Sequence, residues 1–266
     1  MMDVGLVQLC STSDVDHNLE RCRALAREAA GRGAQWVLFP ENAPFMGPDE
    51  AKLAHASEVG GPITRWFGEL ARELGVWVTL GSFAERGPDA GRTYNTQVLF
   101  DVDGQIASIY RKIHLFDVVL SDGQVFKESG SVAAGAEVVT GQVGQWCVGM
   151  SICYDLRFPE LYRALAARGA QVLTVPSAFT AQTGQAHWHA LLRARAIEDQ
   201  CYVLAPDQWG NHYGQRRSYG GSAIYDPWGG LIACVSEGEG VVVGRLDRGY
   251  LEQVRAGLPS LRHRVL

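Results

Sequence analysis

The chain is short of several features that would have named a function outright. Its six cysteines, Cys10, Cys22, Cys147, Cys153, Cys201 and Cys234, include no Cys-x-x-Cys pair. The spacing used by structural zinc sites and thioredoxin-type redox motifs is therefore missing. No apolar run approaches the roughly 20 residues of a membrane span. The opening Met1-Met2-Asp3-Val4-Gly5-Leu6 has neither a basic stretch nor a long apolar one. It does not read as a secretory signal, and a cytoplasmic protein without a membrane partner is expected. Positive charge is in deficit, with 24 Lys+Arg against 29 Asp+Glu and a net charge of −5. That argues against a nucleic-acid partner, because phosphate contact needs clustered cations. The glycine-rich segments Ser218–Gly221 and Gly238–Gly240 spell neither a P-loop nor a dinucleotide fingerprint. Nothing in the sequence asks for a metal or an organic cofactor.

What is present is ordinary globular material: 266 residues, 47% hydrophobic and 9% aromatic, enough to bury a substantial core. Short β-branched runs alternate with helical stretches. Strands are predicted at Val4–Leu9, Trp36–Phe39, Val76–Phe83, Trp146–Cys153, Val172–Val175, Tyr202–Ala205, Gly221–Tyr225, Leu231–Val235 and Val241–Leu246. Tyr94–Phe100 and Gln105–Tyr110 flank the turn signal Asp101-Val102-Asp103-Gly104 and predict a hairpin. Helices are predicted at Asp16–Gly31, Pro62–Leu74, Pro159–Arg168, Gly184–Gln200 and Arg248–Ala256. No repeat, low-complexity tract or linker interrupts this pattern, so residues 1–266 read as a single α/β domain with mixed sheets.

Three reactive side chains follow predicted strands closely: Glu41, Lys112 and Cys153. Ligands of layered α/β proteins bind in the crevice beyond strand ends. A carboxylate, an ammonium and a thiol delivered there make a nucleophilic site, with the cysteine on a strand–turn–helix elbow. The bland alternative is a structural cysteine among solvated charges, and spacing alone does not exclude it. Other residues have bland readings too. His187 and His189 diverge on a helix and do not pair for zinc. Arg193 and Arg195 fit helix-surface ion pairs with Glu198 and Asp199, and His114 packs beneath the site. Arg157 stands at the mouth, where a substrate carboxylate would dock bidentately.

Phe39-Pro40-Glu41-Asn42, Tyr110-Arg111-Lys112-Ile113-His114 and Gly149-Met150-Ser151-Ile152-Cys153-Tyr154-Asp155-Leu156-Arg157-Phe158 carry more than spacing. Together with Pro176–Thr180, Ala186-His187-Trp188, Arg193–Ala196 and Ser222–Gly229, they resemble the nitrilase superfamily of carbon–nitrogen hydrolases along almost the whole chain. Within it the chain resembles the Nit branch, whose members hydrolyse small linear amides. True nitrilases typically carry Trp after the nucleophile, where this sequence has Tyr154. The resemblance implies a four-layer αββα sandwich and pairing into at least a homodimer. It also implies that Cys153 is the nucleophile, Glu41 the general base and Lys112 an oxyanion donor with the N–H of Tyr154. Glu128, which on sequence alone is a loop carboxylate, would be a second glutamate placed against the lysine. Tyr154, Arg157, Phe179, Thr180 and His187 would contact a small-molecule amide substrate, and Arg157, Arg216 and Arg217 are the candidates to hold its carboxylates. Details at Pro176–Thr180, 199–204 and 225–229 resemble amidases of deaminated glutathione more than ω-amidases acting on α-ketoglutaramate. The ω-amidase reading stays open, as does a catalytically silent domain that only binds a partner. Val175 and Gln185 depart from the residues common at their positions and are expected to border the pocket.

Overall fold

The computed structural model describes residues 1–120 and 123–265. In chain order the elements are β1 (Met2–Gln8), α1 (Val15–Gly31), β2 (Trp36–Leu38), α2 (Asp49–Ala54), α3 (Pro62–Leu74), β3 (Trp77–Arg86), β4 (Thr93–Phe100) and β5 (Ile106–Arg111). There follow β6 (Asp117–Val119), β7 (Val125–Lys127), β8 (Val132–Ala133), β9 (Thr140–Val143), β10 (Trp146–Met150), α4 (Pro159–Ala167), β11 (Val172–Thr174) and α5 (Ala181–Asp199). The last are β12 (Tyr202–Ala205), β13 (Trp209–Tyr213), β14 (Arg216–Tyr219), β15 (Ser222–Tyr225), β16 (Leu231–Val235), β17 (Gly240–Leu246) and α6 (Arg248–Gly257).

Two mixed sheets form. The first is seven-stranded, in the order β17-β1-β2-β3-β4-β5 with β8 beside β4, and the second is six-stranded, β16-β15-β12-β11-β10-β9. Each has three parallel strands at its centre, β1-β2-β3 in one and β10-β11-β12 in the other, flanked by antiparallel neighbours. The same wiring thus occurs twice, although no sequence repeat betrays it.

Side-chain alternation explains the layering. Val4 and Leu6 of β1, with Trp36 and Leu38 of β2, join a core shared with the second sheet and with α4 and α5. Val7, Val37 and Phe39 point the opposite way, onto the apolar stripe of α1 (Cys22, Leu25, Ala26, Ala29) and onto Phe67 and Leu70 of α3. The first core thus fills both the space between the sheets and that between the second sheet and α4 and α5, the second core the space between the first sheet and α1 and α3, and the fold is the αββα sandwich. Close helix–sheet contact needs missing side chains: a Cβ at Gly5 would lie 2.8 Å from Ala29 Cβ, and one at Gly149 would lie 3.0 Å from Leu165.

Most predicted elements occur with shifted ends. The strand expected to run to Cys153 stops at Met150, and α5 begins three residues before the predicted Gly184. The short α2 and the hairpins β6–β7 and β13–β14 were not predicted, because elements of three to six residues with little buried surface are too short to show a period. Arg195 is not on the surface. It is 4% exposed, pairs with Glu198 at 2.5 Å and donates to the Leu156 carbonyl at 2.7 Å, so it ties α5 to the turn after Cys153.

Candidate active site

The segments after β2, β5, β10 and β11 converge on one cavity of about 530 Å³. Glu41 reaches it two residues beyond Phe39, whose N–H bonds to the Thr79 carbonyl of β3 at 3.0 Å. A Cβ at Gly81 would run into the Phe39 carbonyl, so glycine is required for β3 to lie this close. Lys112 follows β5 directly, and its N–H bonds back to the Asn95 carbonyl of β4 at 2.9 Å. Cys153 has φ of +49°, left-handed for a residue with a side chain, and opens a 3-10 turn over Cys153–Arg157. Asp155 pins that turn. Its carboxylate accepts from the Ile152 N–H at 2.9 Å, the Tyr110 hydroxyl at 2.6 Å and the His114 N–H at 3.1 Å. His114 also meets it through Nδ1 at 2.7 Å while stacking on Phe158, so His114 supports the site from behind.

The polar centre is dense. Lys112 Nζ donates to Glu41 Oε1 at 3.0 Å and to both Glu128 oxygens, at 3.1 and 2.9 Å. Glu128 is held in turn by the Phe116 N–H at 2.7 Å, so it belongs to the site and is not a solvated loop charge. Two groups escaped the sequence reading. Asn95 Nδ2 bridges the glutamates, at 2.7 Å to Glu41 and 3.2 Å to Glu128. The Ala178 N–H donates to Glu41 Oε2 at 2.8 Å. Asn95 is one polar residue beside Thr93, Thr96 and Gln97 in the same strand, so nothing local singled it out, and the second, a backbone group, leaves no signal.

These contacts set the charges. Burial pushes the Glu41 carboxyl up, but the Lys112 ammonium and hydrogen bonds from Cys153, Lys112 and Asn95 outweigh it and hold Glu41 below its ordinary value. Burial pulls Lys112 down, yet Glu128, Glu41 and Cys153 keep it well above its usual range. Burial, with Glu41 next to it, pushes the Cys153 thiol well up against the opposing pull of Lys112 and the Ala178 N–H. The resting arrangement is a thiol beside an ionised carboxylate and an ammonium.

Tyr154, Phe179 and Thr180 line the cavity with Cys153, Glu41, Lys112 and Glu128. Arg157 and His187 are not among its lining residues. Arg157 Nη1 meets His187 Nδ1 at 3.3 Å, and the guanidinium lies over the rings of Phe179 (5.2 Å) and Tyr154 (5.9 Å). These two stand behind the aromatic wall, because the turn after Cys153 carries Arg157 toward α5 and away from the opening. Val175 is fully buried in the core, and neither it nor Gln185 lines the cavity. Among the described residues no cluster of three or more His, Cys, Asp or Glu side chains is arranged to hold a metal ion, and no helix is long and apolar enough to cross a membrane.

Comparison with known proteins agrees with this geometry. Residues 3–256 match the carbon-nitrogen hydrolase family. The chain is 45% identical over 268 residues to the human deaminated glutathione amidase, covering 98% of this chain and 81% of that protein. The crystal structure of the C. elegans NitFhit protein superposes with a TM-score of 0.94 at 36% identity over 99% of this chain; the chain spans 65% of that longer polypeptide. A point mutant of the amidase from Nesterenkonia sp. AN1, 27% identical with a TM-score of 0.80 over 97% of this chain and 98% of that one, shows the result of Michael addition of acrylamide at its active-site cysteine. The chain belongs to the carbon-nitrogen hydrolase family, the nitrilase superfamily, and is one of its amide-hydrolysing enzymes.

Proposed function

We propose that this enzyme cleaves deaminated glutathione to 2-oxoglutarate and Cys-Gly through a thioester on Cys153. The observation that carries the chemistry is the meeting of Cys153 with the Glu41–Lys112–Glu128 cluster in one cavity. Glu41 takes the Sγ proton as sulfur bonds to the amide carbon and the carbonyl electron pair moves onto oxygen. That transfer is uphill from a buried thiol, and formation of the S–C bond drives it. The Lys112 ammonium and the Tyr154 N–H, at the unpaired start of the 3-10 turn, hold the oxyanion. Glu41 returns the proton to the amide nitrogen, the C–N bond breaks and the amine leaves. Water deprotonated by Glu41 then attacks the thioester, releasing the acid and restoring the thiol. Glu128 grips Lys112 with both oxygens and fixes the ammonium for this task. Tyr154, Phe179 and Thr180 form the wall against the substrate, and Arg157 and His187 position that wall from behind.

The identity to the human enzyme supports the substrate, and a cavity of about 530 Å³ is of the size that holds small organic ligands. Hydrolysis of deaminated glutathione and of α-ketoglutaramate, measured side by side with Cys153→Ala as the blank, tests the assignment. A kcat/KM at least about tenfold higher for deaminated glutathione is expected, equal to roughly 1.4 kcal/mol of transition-state binding. A ratio near one, or reversed, returns the enzyme to the ω-amidases.

The same reading makes the protein a cytoplasmic homodimer. All six cysteines are unpaired, which suits a reducing compartment. Ile197, Trp228 and Leu231 are 47%, 58% and 53% exposed where α5 meets the turn before β16, the kind of apolar patch that a second copy would cover. Sedimentation of a stable 29.0 kDa monomer at micromolar concentration would remove the dimer.

A further inference from the structure

Arg216 begins β14, and the hairpin that carries it is fastened from several sides. The Trp209 N–H bonds to the Leu9 carbonyl at 2.7 Å, and the Tyr219 N–H bonds to the Phe179 carbonyl at 2.9 Å. His212 lies between Ser11 O at 2.8 Å and Ser218 Oγ at 2.9 Å. The arginine is therefore delivered to the cavity wall by a fixed support. Its guanidinium lies over the Phe126 ring at 5.3 Å, and Nη2 donates to the Ala178 carbonyl. Ala178 is also the residue whose N–H bonds Glu41, so the guanidinium sits one residue away from the reacting groups.

What Arg216 lacks is a counter-ion. Among the described residues no carboxylate lies within ion-pair distance of it, and Nη1 is buried without a hydrogen-bond partner. The acid that feels its charge, Asp207, has one oxygen on the Phe179 N–H at 2.9 Å and the other unpartnered. Burial pushes that carboxyl well up, and it forms no ion pair with Arg216. A guanidinium flattened on an aromatic ring, with one nitrogen already anchored and the other orphaned, is the donor set that a carboxylate completes. Lys52 and Lys127 line the same opening and form no ion pair among the described residues. The glutamates deeper in the cavity are already committed to Lys112.

We infer that Arg216 is a substrate-binding residue that pairs with a carboxylate of the amide substrate and so selects anionic amides over neutral ones. The inference deepens the proposed amidase function and rests on it. Deaminated glutathione has two carboxylates, one on the keto-acid end and one on the glycine end, and the chemistry of Arg216 accepts either.

The experiment measures kcat and KM for wild type, Arg216→Lys and Arg216→Met on three amides. These are deaminated glutathione, its C-terminal carboxamide and its keto-acid methyl ester. On the parent amide Arg216→Met should lose about 30- to 100-fold in kcat/KM, mainly through KM, and Arg216→Lys should recover part of it. On the analogue whose carboxylate is the one bound, wild type should fall by a similar factor and Arg216→Met should cost little more. That analogue tells which end is held. An equal loss on all three amides would overturn the inference and leave Arg216 as a support for the Ala178 carbonyl alone. If wild type prefers α-ketoglutaramate, the substrate assignment fails separately. The same comparison on α-ketoglutaramate and its methyl ester then decides Arg216, with loss on the acid and none on the ester expected.

Discussion

Two buried carboxylates in this molecule face a cation and are shifted in opposite directions. Glu41 in the cavity lies 3.0 Å from Lys112, and Asp199 in the seam between α4 and α5 lies 3.3 Å from Arg163. Their side chains are 4% and 0% exposed. Glu41 is held below its ordinary value, whereas burial pushes Asp199 up to about 7. The difference is in the donors. Glu41 receives hydrogen bonds from Lys112, Asn95 and the Ala178 N–H, on both oxygens. Neither Asp199 oxygen has a hydrogen-bond partner, and Arg163 Nη1 donates instead to the Glu198 carbonyl at 2.6 Å. A nearby charge alone does not keep a buried acid ionised; oriented N–H groups that replace its water do.

That contrast can be broken from the reactive end first. Cys153→Ala leaves the cluster of charges intact while removing the nucleophile, so turnover should fall at least about 10⁴-fold. Thermal melting should show a modest change only, since one buried sulfur costs on the order of 1–2 kcal/mol. Hydrolysis above that residual level by the alanine variant would remove the thioester route.

Lys112→Ala should make the Glu41 site resemble the Asp199 seam. The two glutamates lose their shared cation, so Glu41 moves up toward neutrality and the oxyanion loses a donor. A fall in kcat of about 10²- to 10³-fold is expected, with the acid limb of the pH profile shifted toward neutral pH. Near-normal kcat would show that the lysine does not touch the developing charge.

Asn95→Ala tests the donor argument more finely, because the cation stays. It should lower kcat by about tenfold and move the acid limb of kcat upward by up to about one pH unit, since a bond that favours the ionised Glu41 is gone. An unchanged limb with lowered kcat would mean that Asn95 only packs.

The smallest effect is on stability, at the other carboxylate. Asp199 has a folded value of about 7 against an ordinary 3.8, so the folded state holds a proton that the unfolded chain releases between them. Its contribution is therefore full at acid pH and declines as pH rises through that window. Asp199→Asn, which keeps the neutral shape without the titration, should gain on wild type as pH rises, its melting-temperature advantage being about 2–6 °C larger near pH 8 than near pH 5, corresponding to about 1–2 kcal/mol. A melting-temperature difference that is the same at both pH values would show that Arg163 neutralises Asp199 after all.

Much of this was legible before any coordinates. The parallel strands and their helices show in the sequence because alternation and helical stripes are local patterns of burial, as at Val4, Leu6, Cys22 and Leu25. Glu41, Lys112 and Cys153 were legible as candidates because each lies in a contiguous segment that resembles the family's, close to a strand end; spacing alone left a structural cysteine open. The hairpins β6–β7 and β13–β14 were not, since strands of three to five residues without a buried face leave no period.

The sequence by itself determined which reactive side chains stand at strand ends and which layers they hang from. Only the tertiary structure decided their charges and their company. Asn95 meets Glu41 across 54 residues, and the Ala178 N–H meets it across 137. Glu128 acquires Lys112 only because the segment after β7 folds back against β5. Arg157 stands behind the wall, and Arg216 in it, for the same reason: chain direction after a turn is settled by packing. Ionisation follows in turn from burial and donors that packing brings together, which no local stretch of sequence contains.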